Sequence, residues 1–164
     1  MRNPSGIPDF KSGSINVCLF VSTEEFDPIS ILIRQRTDCS WSHVGFYDLD
    51  NNLTFSAMCD GKGVAWRPVA KNQKIMLLDV NPPQALQDAF AKAVTQEGKP
   101  YNELDILGIA LDRDWSTADS YICSSLVFWA FQRILHPLLA MWAIPFDHFT
   151  PRDVLVSPFV SMRQ

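Results

Sequence analysis

The chain has 164 residues and a mass of 18.6 kDa, a length that suits one domain with its own core. Apolar residues make up 47% and charged residues 20%, ordinary globular usage that confines expected disorder to the ends. The net charge of -4 and the pI near 5.2 provide no basic surface for a phosphate backbone, so no nucleic-acid partner is expected.

The longest apolar stretch, around Leu138–Ile144, is far shorter than the roughly 20 residues of a membrane span, so no transmembrane segment is expected. The first ten residues hold Pro4, Gly6, Pro8 and Asp9 and no apolar run. They have no secretory signal, which makes the cytoplasm the default location and leaves release to a cell wall to another route.

Residues 1–14 are rich in Pro, Gly and Ser and predict an irregular arm. Ile15–Val21 predicts a strand, and Asp27-Pro28 predicts a capped helix running toward Arg36. Ser42–Tyr47 and Leu53–Met58 flank the turn residues Asp48, Asp50, Asn51 and Asn52, a hairpin pattern. Gly61-Lys62-Gly63 turns the chain into Val64–Arg67, and Lys74–Val80 completes what the sequence predicts as a small antiparallel meander. After Asn81-Pro82, the apolar stripe Ala85, Leu86, Ala89, Phe90, Ala93 and Val94 predicts a helix ending near Gly98. Asn102–Leu111 predicts a short helix, and Tyr121–Leu135 a longer one capped by Asp119 or Ser120. Thr150-Pro151-Arg152-Asp153 is a capping box opening a last short helix. The pattern is α+β, an antiparallel sheet packed against helices in one domain.

Cys18, Cys39, Cys59 and Cys123 are separated by 20 residues or more, with no CxxC pair and no clustered histidines. Neither a zinc cage nor a disulfide framework follows, and no cofactor or metal is implied. The ordinary reading of each cysteine is a small buried hydrophobe. Cys123 differs because Tyr121-Ile122-Cys123-Ser124-Ser125-Leu126-Val127 places it in the first turn of a predicted helix. Helix N-termini favour a thiolate and can hold an oxyanion beside it.

A histidine suits the accompanying proton transfers. Of His43, His136 and His148, the first is the best placed, on a predicted strand beside Gly45. His136 precedes Pro137 at a helix end, a capping position, and His148 lies in an apparent loop. Asp112, Asp114 and Asp119 lack the Gly and Glu of a calcium loop and predict a solvated acidic loop. Trp41, Trp66, Trp115, Trp129 and Trp142, with eleven Phe, predict core and rim packing. Phe128, Trp129 and Phe131 are too close in sequence for one helix face, so at least one should point away from the main core.

The strand WSHVGFYD, the later GKPY at Gly98–Tyr101 and CSSLV at Cys123–Val127 resemble the NlpC-type cell-wall peptidases, papain-like cysteine enzymes. His43 comes eighty residues before Cys123, an order similar to the circularly permuted branch related to the lecithin–retinol acyltransferases. The resemblance spans about residues 12–157 and implies a permuted papain-like α+β fold with the nucleophile at a helix N-terminus. It implies Cys123 as nucleophile, His43 as general base and Tyr101 as a cleft residue able to hydrogen-bond substrate or oxyanion. Ser124 matches the serine after the nucleophile, and a helix-capping role is its ordinary alternative.

Two positions depart from the family pattern. Ser56 stands where the family has a polar residue that orients the histidine, with Asp60 or a backbone carbonyl as substitutes. Ile122 stands where the peptidases have an Asp that pairs with a free amine of the stem peptide. The resemblance therefore implies a thiol hydrolase, a cysteine peptidase or amidase, acting on a peptidoglycan stem peptide or on a lipid-acyl group. A non-catalytic binding module and an acyltransferase are the alternatives on the same fold.

Overall fold

The computed structural model describes residues 14–21, 28–71, 73–104, 106, 119–132 and 149–163. Alternating apolar residues build strands β1 (Ile15–Phe20), β2 (His43–Asp48), β3 (Leu53–Met58), β4 (Gly63–Pro68) and β5 (Ile75–Val80). A three-residue strand, β6 (Val160–Met162), joins them. The helices are α1 (Pro28–Thr37), α2 (Pro83–Val94), α3 (Cys123–Phe131) and α4 (Pro151–Leu155).

The six strands form one antiparallel sheet in the order β4-β3-β2-β1-β5-β6. Strands β2, β3 and β4 are the expected meander. β5 is not its next strand: the chain crosses back and pairs β5 with β1, Val17 facing Leu78 and Phe20 facing Ile75. The reason is burial. β1 is buried along its whole length, and β2 on one side with β5 alongside Val17–Phe20 on the other gives its buried backbone groups ladder partners. β6 was not expected from the sequence; it covers the outer edge of β5, Val80 facing Val160.

Strand alternation gives the sheet two different faces. Val17 and Leu19 of β1, Val44 and Phe46 of β2, and Phe55 and Ala57 of β3 are fully buried with α2 and α3 in the main core. Phe46 meets Phe90 of α2 at 5.4 Å and Phe131 of α3 at 6.3 Å between ring centroids. Each such side chain contributes about 1.5–3 kcal/mol by leaving water. The opposite face holds Cys18, Phe20, His43 and Ser56.

The three aromatic residues of α3 diverge as their spacing requires. Phe131 meets the sheet, Phe128 packs on Phe149 at 5.0 Å, and Trp129 turns to Tyr121 at 5.9 Å and stays half-buried. Of the expected arm, only Ser14 is described. Asp27, most of the Asn102–Leu111 segment, Asp112, Asp114, Trp115, His136, Trp142 and His148 lie outside the described residues. Among the described residues, no helix is long and apolar enough to cross a membrane.

Candidate active site

Helix α3 begins later than its apolar pattern suggests. Tyr121 does not start α3 but bridges to Tyr101 in parallel: Tyr121 N–H donates to Pro100 O at 3.1 Å, and Asn102 N–H donates to Tyr121 O at 3.1 Å. Those backbone groups are thereby committed to a strand-like pairing, and Ile122 becomes the extended residue before the helix. Neither Asp119 nor Ser120 is the cap. Ile122 N–H donates to the Ser125 hydroxyl at 3.0 Å, so a residue inside the first turn ties down the helix start. Cys123 is consequently the first helical residue, where backbone N–H groups lack partners within the helix.

Cys123 and its neighbours open on a small pocket of about 260 Å³, open solvent at its mouth included. Ile33 and Thr37 of α1 form one wall, Tyr101 and Ile106 a second, and Thr150 and Pro151 a third. Ile122, Cys123 and Ser124 form the floor. Four of the six residues singled out in the sequence (Tyr101, Ile122, Cys123 and Ser124) thus share one pocket. Its described lining has no charged side chain, and Ile33, Ile106 and Ile122 form their own apolar cluster there.

Ser124 has a structural task in the pocket wall. Its hydroxyl donates to Phe149 O at 2.5 Å, fastening the chain just ahead of α4. Next along, Thr150 N–H donates to Asp153 Oδ2 at 2.8 Å, the half of the expected capping box that forms, and the Thr150 hydroxyl donates to the same oxygen at 2.5 Å. Arg152 donates to Thr37 O at 3.2 Å and so links α4 to α1 across the pocket.

His43 is the first residue of β2, and its ring stacks on Phe20 with centroids 5.2 Å apart and planes 16° from parallel. The contact to the sulfur comes from the residue before it: Cys123 Sγ lies 4.0 Å from Ser42 O. Cys123 and His43 are both buried, at 1% and 4% exposure. The structure therefore brings the Cys123 thiol to the peptide group that leads into His43.

Ser56 stands apart from the pocket, on the His43 face of the sheet but beside Gly45. A Cβ built on Gly45 would lie 2.9 Å from the Ser56 Cβ and 2.8 Å from Phe55 O, so the glycine makes room for the neighbouring strand rather than for a ligand. Ser56 Oγ is buried and has no hydrogen-bond partner among the described residues. Asp60 is engaged elsewhere, accepting from Arg67 Nε at 2.7 Å and Nη2 at 2.6 Å. This fork holds the Asp60 carboxyl below its usual range, chiefly through the Arg67 hydrogen bonds.

Sequence reasoning missed Ser42, Thr37 and Thr150–Pro151. Only the last pair carried a signal, the capping box, and that signal spoke of a helix start and not of a pocket wall.

Comparison with solved structures finds a similar fold. The metalloprotein YiiX from Escherichia coli O157:H7 (DUF1105) matches with a TM-score of 0.62 over 94% of this chain and 98% of its own, at 16% identity. The two chains share a fold. No protein-family model and no curated protein matches the sequence. YiiX is described as a metalloprotein, which makes the donor set of this chain worth testing. Among the described residues, no group of three or more His, Cys, Asp or Glu comes together to hold an ion, so they do not form a metal cage.

Proposed function

We propose that the chain is a thiol hydrolase on a circularly permuted papain-like fold, cleaving an amide or related acyl bond with Cys123 and His43. The observation that supports this most is the position of Cys123: first residue of α3, on the floor of a pocket, with its sulfur 4.0 Å from the carbonyl that adjoins His43. In this reading Cys123 Sγ attacks the substrate carbonyl carbon as His43 takes the thiol proton. The oxyanion forms against the backbone N–H groups that open α3. His43 then protonates the leaving group, and water, deprotonated by the same ring, hydrolyses the acyl-enzyme. Tyr101 borders the space where the substrate carbonyl would lie.

The pocket also bears on substrate class. A free amine would be buried against Ile33, Ile106 and Ile122 with no charged side chain in the described lining to pair with it. A neutral acyl group fits this lining better than the amine end of a stem peptide. The competing reading, a binding module without catalysis, draws on Ser56 and Asp60: neither is bonded to His43 as an orienting group.

Site-resolved alkylation of the cysteines against pH, in wild type and His43→Ala, separates the two. The hydrolase reading expects Cys123 to react fastest below pH 8 and to lose that advantage in His43→Ala. Equal reactivity of Cys123 in both proteins, no faster than exposed Cys59, would leave the binding module as the function. Active protein should then cleave neutral acyl esters in preference to amine-terminated peptides.

A further inference from the structure

We propose that a buried pair of hydroxyls, Ser30 and Ser42, sets the peptide group between Cys123 and His43, making Ser42 a positioning residue for the thiol chemistry. The inference rests on the thiol-hydrolase reading, which already cites the Ser42 carbonyl at the sulfur, and adds the hydroxyl pair that holds that carbonyl in place.

Ser42 is completely buried and lies just ahead of β2. Its three polar groups reach three different elements. Its N–H donates to Phe20 O of β1 at 3.3 Å. Its hydroxyl oxygen accepts from the Ser30 hydroxyl of α1 at 2.6 Å. Its carbonyl oxygen is the acceptor 4.0 Å from Cys123 Sγ at the start of α3.

Two apolar side chains could fill the space between α1 and β2 without desolvating any polar group. A buried hydroxyl pair is favourable only when its geometry is met, so it specifies one arrangement where apolar contact would tolerate several. That arrangement matters because Ser42 C=O and His43 N–H belong to one planar peptide. That rigid unit ends on the His43 Cα, so a displacement of the peptide carries the carbonyl at the sulfur and the atom that bears the His43 side chain together.

The same bond fixes α1, whose Ile33 and Thr37 form a wall of the pocket. Arg152 fastens the far end of that helix through Thr37 O. The Ser30–Ser42 bond fastens the near end, and it is the one that reaches the reacting groups.

The test is a double-mutant cycle with Ser30→Ala, Ser42→Ala and both together, read by the pH profile of Cys123 alkylation in the full chain. Each single change should slow Cys123 at pH 7 by about three- to tenfold, the range one buried hydrogen bond supports, and move its profile toward that of His43→Ala. The double variant should lose less than the two single effects combined, because the Ser30–Ser42 bond is broken in both singles. Cys18, fully buried, must stay unreactive in every variant, which establishes that the slowing does not come from unfolding.

Unchanged Cys123 profiles in the serine variants, alongside a wild type that depends on His43, would overturn the positioning role alone. Additive losses would overturn it too. A wild type already indifferent to His43→Ala would remove the hydrolase reading and this inference with it.

Discussion

Arg67 shows how much one side chain can organise when it is buried at 8% exposure. Its guanidinium forks onto Asp60 and also donates to Ser56 O, Ala65 O and Gly63 O, at 2.8–2.9 Å, closing the β3–β4 hairpin from within. Asp60 is the titratable half of this arrangement. Its carboxyl is held below the usual range first by the Arg67 hydrogen bonds, against an opposing desolvation effect. A depressed folded pKa contributes stability that is present above the unfolded value, near 3.9, and is lost as pH falls through the folded one. Asp60→Asn should therefore be less stable than wild type at pH 7, by about 1 kcal/mol or less because the carboxylate is more than a third exposed. The gap should close as the pH is lowered below about 4. Denaturant melts of both proteins at pH 7 and pH 3 measure it, and a gap constant with pH would contradict the assignment.

Elements were legible where period alone determines them. The alternation from Leu53 to Met58 located β3 to the residue, and β1, β2, β4 and β5 were placed within a residue at each end. Period does not encode which strand lies alongside which, so the return of β5 to β1 was invisible. β6 was too short, with Ser161 and Met162 exposed, to show an alternation at all. The start of α3 was misjudged by two residues because the Tyr101–Tyr121 bridge withdraws Tyr121 from the helix, a contact twenty residues apart in sequence.

The other end of α3 offers a test at this scale. Lys92 of α2 donates to Trp129 O and Gln132 O at 2.5 and 3.1 Å and lies 4.2 Å from the Trp129 ring centroid. Lys92→Met keeps the apolar stem and removes a charge from a helix C-terminus, at a cost of about 1–2 kcal/mol and roughly 2–8 °C in Tm. The Cys123 alkylation profile should not move, since helix-end effects fall off within one turn and Cys123 is at the opposite end. Calorimetry and alkylation on the same variant check both halves.

At the scale of the whole molecule, the segment from Phe149 to Arg163 performs two tasks that the fold keeps separable. Its first part is a pocket wall, held by Ser124 to Phe149, by the Thr150–Asp153 cap and by Arg152 to Thr37. Its second part closes the sheet. Phe159 O accepts from Asn81 N–H at 2.8 Å, β6 pairs with β5, and Arg163 N–H reaches Leu77 O at 3.1 Å and pairs through its guanidinium with Asp79. Phe159 and Val160 also pack on the main core beside Val17 and Val80. The sequence made the first part legible as a capped helix and left the second unmarked, because edge pairing depends on β5 having an open side. Removing residues 158–164 should therefore expose the β5 edge and the apolar residues behind it, lowering stability by about 2–3 kcal/mol and Tm by roughly 5–10 °C. The bonds that hold α4 all lie upstream of the cut, so the pH profile of Cys123 at 25 °C should be retained. Thermal melts and alkylation of the truncated chain decide the matter. A lost Cys123 profile in a protein still folded at 25 °C would mean that wall and sheet edge act as one unit, and that the pocket depends on β6.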